Sequence, residues 1–342
     1  MGANNDYNPA HFPDRGTNGG MDYMPWFLDQ ARRQSTNTNQ RLLDYFTVHI
    51  YPQGGEYGND TSTAMQLRRN RSTRCLWDTN YVDQTWINDV VQLIPRMKSW
   101  VTNHYPGTKI GITEYNWGAE SHINGATAQA DILGIFGREG LDLATRWTTP
   151  SITAPAFKAM QLYRNYDGNR STFGDVSISA GGPNPDTVSA FAATRSSDGA
   201  LTVIAVNKQI GSNQPVTINL NNFKPLGAVQ LWQLTSANSI ARLADHTVVN
   251  GAVSNTLPAQ SITLFVIPGD VKPSLLAAGL SGTNTFNFRL DGLAGQRYAI
   301  QISTNLANWT SVQTNVLTNN SVTITPPTTA APQLFYRAQW LP

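Results

Sequence analysis

A change of pattern near residue 170 constrains this chain more than any other feature. Before it, helix-like and strand-like segments alternate; after it, only short strands separated by Gly, Asn and Pro turns remain. Residues 25–34 (PWFLDQARRQ) follow Asp22 and carry Pro25 at a first-turn position, so they read as a helix. Residues 43–52 (LDYFTVHIYP) are β-branched and aromatic and read as a buried strand closed by Pro52. Across 81–107, Val82, Trp86, Val90, Leu93, Met97 and Val101 recur at three-to-four spacing, predicting one amphipathic helix kinked at Pro95 and stopped by Gly107. The order then repeats: strand 109–117, helix 127–140, strand 141–147, helix 151–168.

Strands separated by helices of this length make parallel βαβ units. Three strands are too few to close a (β/α)8 barrel, and the segment reads as the last part of one. Beyond residue 170, VSAFAATRS, ALTVIAVNK, PVTINLNNF, AVQLWQLT and SITLFVIPG predict an antiparallel β-sandwich. After GDVKPS, a second and smaller set follows in TFNFRLD, QRYAIQIST, SVTITPP and LFYRAQW. The expected organisation is therefore a partial (β/α)8 barrel of the last three βα units over 1–170, a β-sandwich over 171–268, a linker at 269–274, and a small immunoglobulin-like β module over 275–342.

Composition narrows the function classes. Charged residues are only 13% of the 342, against about 25% in an ordinary soluble protein. A net charge of +2 without a basic run argues against nucleic acid and against a polybasic membrane patch. No apolar stretch is long enough to span a bilayer, and the opening MGANNDYNPAHFPDRG lacks the apolar core of a signal peptide. The single cysteine, Cys75, excludes an intrachain disulfide and reads as a small buried hydrophobe.

Glutamate is scarce: Glu56, Glu114, Glu120 and Glu139 are the only four. Glu114, in GITEYNWG, ends an apolar strand at the carboxyl end, where barrel enzymes place catalytic groups, and is followed by Tyr115 and Trp117. A carboxylate beside aromatic platforms suits glycoside chemistry, as nucleophile or as a stabiliser of oxocarbenium charge. The competing reading is a strand-end carboxylate in a structural ion pair. Glu56 and Glu120 lie in polar loops and read as solvated.

The stretch GTKIGITEYNWGAESHINGATAQADILGIFGREGLDLATRW (107–147) resembles glycoside hydrolase family 44, secreted endo-acting β-1,4-glucanases that also take xyloglucan. The resemblance continues through LLDYFTVHIYPQ, RSTRCLWDTNYVDQTW and YRNYDGNRSTFGD, and covers residues 15–268. It implies a retaining mechanism on a (β/α)8 barrel joined to a β-sandwich, with Glu114 as nucleophile. It also sets His49 and Tyr51 near the nucleophile, and Trp86 and Trp147 at sugar-stacking positions. Tyr115 and Trp117 join them as substrate-binding candidates. His49 could instead be a core histidine, and Trp86, on the predicted helix stripe, could be core. The family's acid/base stands in an Asn-Glu-Pro motif, which this sequence does not contain. A retaining site needs two carboxyls roughly 5–5.5 Å apart. The chain is therefore expected to begin after the fifth barrel strand, to have lost any signal peptide with the missing part, and to be inactive or nearly so in isolation.

The reading at this point is a secreted, monomeric hydrolase of internal β-1,4-glucosidic bonds in cellulose-type glucans or xyloglucan. Its partner is a β-glucan polysaccharide, with no nucleic acid and no membrane insertion. No cofactor is called for, and a structural calcium is left open. Two alternatives stand beside it: a non-catalytic glycan-binding or surface-interaction protein built on the two β domains, and another barrel glycosidase, such as a hemicellulase, that shares Glu114. For 275–342 a weaker resemblance to small immunoglobulin-like tail modules of secreted bacterial hydrolases leaves two roles, a spacer or sorting domain, which is favoured, and sugar binding.

Overall fold

The computed structural model describes residues 14–182, 184–269, 273–281, 285–326 and 333–341. The opening residues 1–13 and residues 270–272 of the expected linker lie outside that set.

Helix α1 (Tyr23–Thr38) starts after Asp22, whose backbone is extended, and ends at Asn39 in the left-handed conformation. Strand β1 (Tyr45–Ile50) follows, and helix α2 (Thr63–Ser72) starts where the Ser62 hydroxyl accepts from the Met65 N–H. The next helix differs from the sequence expectation. Residues 81–92 are not helical, and α3 runs only from Leu93 to His104. Upstream of it the chain doubles back, with Val82 bridged to Val90 and the Asp83 N–H donating to the Asp89 carbonyl. The Asp83 carboxylate also caps the Thr85 N–H, a local turn that competes with helix. Pro95 accordingly sits in the first turn of α3, where its missing N–H costs nothing and no kink is needed.

Strand β2 (Lys109–Tyr115), helix α4 (Ile123–Arg138), the two-residue strand β3 (Leu143–Ala144) and helix α5 (Pro155–Arg164) complete the first part. The three strands form one parallel sheet in the order β1-β2-β3. One of its faces packs on helices: Phe46, Val48, Ile110 and Ile112 share a core with Leu28, Ile94, Met97 and Val101. On β1 burial alternates, so Tyr45, Thr47 and His49 face the other way and are exposed.

The following strands are β4 (Val176–Ile178), β5 (Val188–Thr194), β6 (Leu201–Asn207), β7 (Gln214–Asn219), β8 (Gln230–Leu234), β9 (Ile240–Arg242), β10 (Ala252–Leu257) and β11 (Ser261–Ile267). Six of them form a sheet ordered β4-β5-β6-β11-β8-β9, and β7 pairs with β10. Both central strands, β6 and β11, are buried at every position. One face of the sheet meets helices: Ile204, Val206, Ile262 and Leu264 pack with Ala126, Ala130, Ala159 and Leu162 of α4 and α5. The other face, with Leu201, Val203, Phe265 and Ile267, is covered by Val216, Ile218, Val253 and Leu257 of β7 and β10. Each fully buried side chain of this kind contributes roughly 1.5–3 kcal/mol.

The last strands, β12 (Ser274–Ser281), β13 (Thr285–Asp291), β14 (Arg297–Ser303), β15 (Thr310–Val316), β16 (Ser321–Ile324) and β17 (Phe335–Leu341), form two three-stranded antiparallel sheets, β12-β13-β16 and β15-β14-β17. They have a core of their own around Phe288, Leu290, Tyr298, Ile300, Leu317 and Ile324.

Where α4 meets the six-stranded sheet, the contact is also polar. The Asp131 carboxylate accepts from Lys208 Nζ at 2.6 Å, Thr73 Oγ1 at 2.7 Å and Ser189 Oγ at 2.5 Å. The side chains of Asp131 and Lys208 are 2% and 1% exposed. Removing one partner of such a pair strands the other charge. Asp131→Ala is expected to cost about 3–5 kcal/mol, read as a lower urea midpoint.

Candidate active site

The site is built at the carboxyl ends of β1 and β2. The parallel ladder pairs Val48 with Ile112 and then His49 with Glu114, a register shift that sets the imidazole beside the carboxylate. Glu114 Oε2 accepts a hydrogen bond from the Tyr51 hydroxyl at 3.0 Å and lies 3.3 Å from His49 Nδ1. Its side chain is 30% exposed, open enough for a ligand to reach. The Tyr51 phenol is pushed up to about 12, first by burial and then by the hydrogen bond and negative charge of Glu114, with Arg146 opposing. His49, Tyr51 and Trp86 also line one cavity of about 160 Å³, with Asp83 and Cys75 in its wall. Burial raises the Cys75 thiol well above its ordinary value, so it is held as an inert thiol.

Trp86 is 59% exposed and stands in the turn before α3, so the helix stripe on which the sequence placed it does not exist. Trp147 is 56% exposed, yet its backbone is fixed on both sides. Its N–H donates to the Tyr115 carbonyl at 3.1 Å, and its carbonyl accepts from Asn116 Nδ2 at 2.6 Å. The Trp147–Thr148 peptide is cis. Two other aromatic candidates are corrected by burial. Tyr115 and Trp117 are each 2% exposed; Tyr115 packs edge-on against Phe136 and its hydroxyl accepts from Gln129, while the Trp117 indole donates to Ser72 Oγ. Neither ring has a face free for a sugar.

The remaining glutamates are committed elsewhere. Glu56 is not solvated as its polar loop suggested: it is 1% exposed and accepts from the Gly54 N–H at 2.7 Å. Glu120 pairs with Arg146 at 2.7 Å, and Glu139 with Arg138 at 2.9 Å.

Two arginines that sequence reasoning passed over organise the loops. Arg146, its side chain 5% exposed, reaches Glu120, Asn116 Oδ1 and Gln129 Oε1 and bonds the Thr148 carbonyl, bracketing Trp147. Arg69, wholly buried, donates to the carbonyls of Glu56, Gly58, Asp60 and Trp117 and to Asn124 Oδ1. It ties the loop after β1 to the loop after β2. There Gly118 has φ +67° and lies so close that a Cβ would sit 2.3 Å from the Gly58 carbonyl. The available signal was Arg68, Arg69, Arg71 and Arg74 crowding one short stretch of a charge-poor chain.

The end of the parallel strand thus gathers a partly open carboxylate, a tyrosine hydroxyl bonded to it and a histidine beside it. The family model for glycoside hydrolase family 44 matches residues 1–54. Endoglucanase A of Paenibacillus lautus is 33% identical over 261 residues, 72% of this chain and 37% of that protein. Among solved structures, CelM2, a bifunctional glucanase-xylanase protein from a metagenome library, is 63% identical with a TM-score of 0.75, over 78% of this chain and 52% of that one. A family 44 xyloglucanase of Paenibacillus polymyxa, solved with xyloglucan, is 29% identical with a TM-score of 0.69, over 77% of this chain and 55% of that one. Over most of its length the chain is thus similar to members of glycoside hydrolase family 44. It spans about half the length of these solved relatives and 37% of the curated endoglucanase.

The hydrogen bond to Glu114 makes a measurable prediction. Because folding raises the Tyr51 pKa from 10.0 to about 12, its contribution to stability is full below pH 10 and lost as pH rises through that window. In a tyrosinate absorbance titration, with Tyr51→Phe as the blank, the Tyr51 step is expected near 12. In Glu114→Gln it moves down, because the negative charge is gone.

Proposed function

We propose that this chain carries the nucleophile half of a retaining glycoside hydrolase that cleaves internal β-1,4-glucosidic bonds of cellulose-type glucans or xyloglucan. The observation that carries the reading is Glu114 at its strand end, half-open and oriented through one oxygen. With Oε2 engaged by Tyr51, Oε1 is the oxygen that attacks the anomeric carbon, forming a glycosyl-enzyme bond as the leaving oxygen takes a proton from a second carboxyl. His49 and Tyr51 hold the carboxylate in place. Trp147 and Trp86 offer exposed indole faces on which the apolar face of a pyranose loses little hydration.

In this reading β1–β3 with their helices are three units of a (β/α)8 barrel, which accounts for a parallel sheet covered by helices on one face only. The substrate is a β-glucan polysaccharide, in line with the names of the relatives. The protein is secreted and monomeric and works without a cofactor. Low charge supports secretion.

In this reading the second carboxyl is not one of this chain's other glutamates, because the Asn-Glu-Pro motif in which the resemblance places the acid/base does not occur in the sequence. Residues 1–342 alone are therefore expected to release almost no reducing sugar from β-1,4-glucan, and robust turnover would contradict this. Joining the chain to the part of CelM2 that it does not span tests the nucleophile. In that chimera Glu114→Gln should lower kcat by about 10³-fold or more. Trp147→Ala should raise KM about tenfold, equivalent to about 1.4 kcal/mol, with a smaller change in kcat. Equal rates for the Glu114→Gln chimera and its parent would remove Glu114 from the chemistry.

A further inference from the structure

Arg146 stands directly before the exposed Trp147, and its guanidinium bonds oxygens of four residues. Nη1 pairs with Glu120 Oε1 at 2.7 Å and also bonds the Thr148 carbonyl, Nη2 donates to Asn116 Oδ1 at 2.9 Å, and Nε donates to Gln129 Oε1 at 3.0 Å. The Glu120 carboxylate balances a cation whose side chain is almost wholly withdrawn from water.

Two of these bonds determine the orientation of other groups. A side-chain amide has an oxygen that only accepts and a nitrogen that only donates, so occupying one end fixes what the other can do. Asn116 Oδ1 receives both Arg146 and the Gly118 N–H, the latter at 2.7 Å, which turns its Nδ2 toward the Trp147 carbonyl, 2.6 Å away. Gln129 Oε1 receives Arg146, which turns its Nε2 toward the Tyr115 hydroxyl at 2.9 Å. One guanidinium thus orients two amides, the first gripping the backbone that carries the indole and the second the tyrosine that follows Glu114. The Trp147 N–H closes the circuit on the Tyr115 carbonyl at 3.1 Å. Tyr115 and Asn116 are the first and second residues after Glu114, so the segment bearing the indole is tied to the carboxylate's own strand end by two direct bonds. The charge of Arg146 is also felt at Tyr51, where it opposes the rise of the phenol.

We propose that Arg146 is a positioning residue for substrate: by orienting Asn116 and Gln129 it holds the Trp147 indole at a fixed offset from Glu114, so that a pyranose stacked on the indole brings its chain into register with the carboxylate. That the stacked ring belongs to a glucan rests on the proposed function; the holding of the indole rests on the four bonds. Lysine cannot take over this role, because an ammonium is a compact charge with three donors and lacks the planar fork that reaches four acceptors. It does keep Glu120 paired, so Arg146→Lys removes the geometry without stranding a charge.

In the chimera that joins this chain to the rest of CelM2, Arg146→Lys should raise KM for β-1,4-glucan about tenfold, with a smaller change in kcat. Asn116→Asp should do the same, since it keeps the oxygen that Arg146 and Gly118 bond and removes only the donor to Trp147. Both act through the indole, so neither should raise KM further once Trp147→Ala is in place; a residue that merely stabilised the fold would add its effect to that of Trp147→Ala. Additive or absent KM effects overturn the proposal. A second measurement needs no turnover. In the 342-residue chain, the heteronuclear NOE of the Trp147 indole N–H, identified by its absence in Trp147→Phe, should fall in both variants as the ring gains motion. An unchanged value in Asn116→Asp overturns the proposal even where Arg146→Lys fails to fold. Full activity of the Glu114→Gln chimera beside a loosened indole would remove the proposed function and leave the positioning role. An inactive Glu114→Gln chimera beside an unaltered indole would do the reverse.

Discussion

The site's architecture hangs on one cation withdrawn from water. Arg69 is fully buried, and none of the five oxygens that receive its hydrogen bonds belongs to a carboxylate. Burial lowers its pKa, while the nearby charges of Glu56 and Asp60 oppose that. A guanidinium in this state tolerates little rearrangement, because each oxygen that leaves exposes more unsatisfied charge. The loop after β1, the loop after β2 and the start of α4 are thereby held as one body. Glu114 and Tyr51 project from strand ends whose continuations are fixed in this way, so their geometry does not depend on β-sheet hydrogen bonds alone.

A comparable polar junction fastens α2 and α4 to the six-stranded sheet. Besides Asp131 and Lys208, the Asn70 amide donates to the Lys208 carbonyl, and Gln260 donates to Gln66 at 2.7 Å between buried side chains. Apolar packing fills in around them: a Cβ on Gly134 would lie 2.1 Å from the Phe191 ring, so helix and strand touch almost backbone to ring. Apolar burial supplies most of the attraction in such an interface, and directional polar contacts fix which register it adopts.

Periodicity located most of the elements. Helices α1, α4 and α5, strands β1 and β2, and the apolar strands β5, β6, β8 and β11 stand within a few residues of where apolar spacing put them. Failures came where local hydrogen bonding outweighed spacing. Val82, Trp86 and Val90 mimic a helical stripe, but Asp83 and Thr85 form a turn and Asn88 takes φ 46°. Strands β9 and β15 were invisible because they are polar and largely exposed, with little apolar alternation to betray them. In the candidate site, the strand-end place of Glu114 was legible from its context, and the closeness of His49 and Tyr51 to it from family resemblance. The burial of Tyr115 and Trp117 was not, since an aromatic beside a carboxylate looks the same in sequence whether it faces solvent or core. Arg69 and Arg146 were missed for a related reason: their acceptors are mostly backbone carbonyls and amides, which leave no mark in a sequence.

The shared core between helices and sheet carries a consequence for how such a gene can be cut. Residues of α4 and α5 and residues of β6 and β11 fill a single apolar layer, so the pattern break near residue 170 does not separate two independent packing units. Severing the chain there would expose matching greasy faces on both pieces. The last six strands, by contrast, enclose their own core. Recombination can therefore move the terminal β unit between hosts as a cassette, while the helices and the six-stranded sheet must be inherited together.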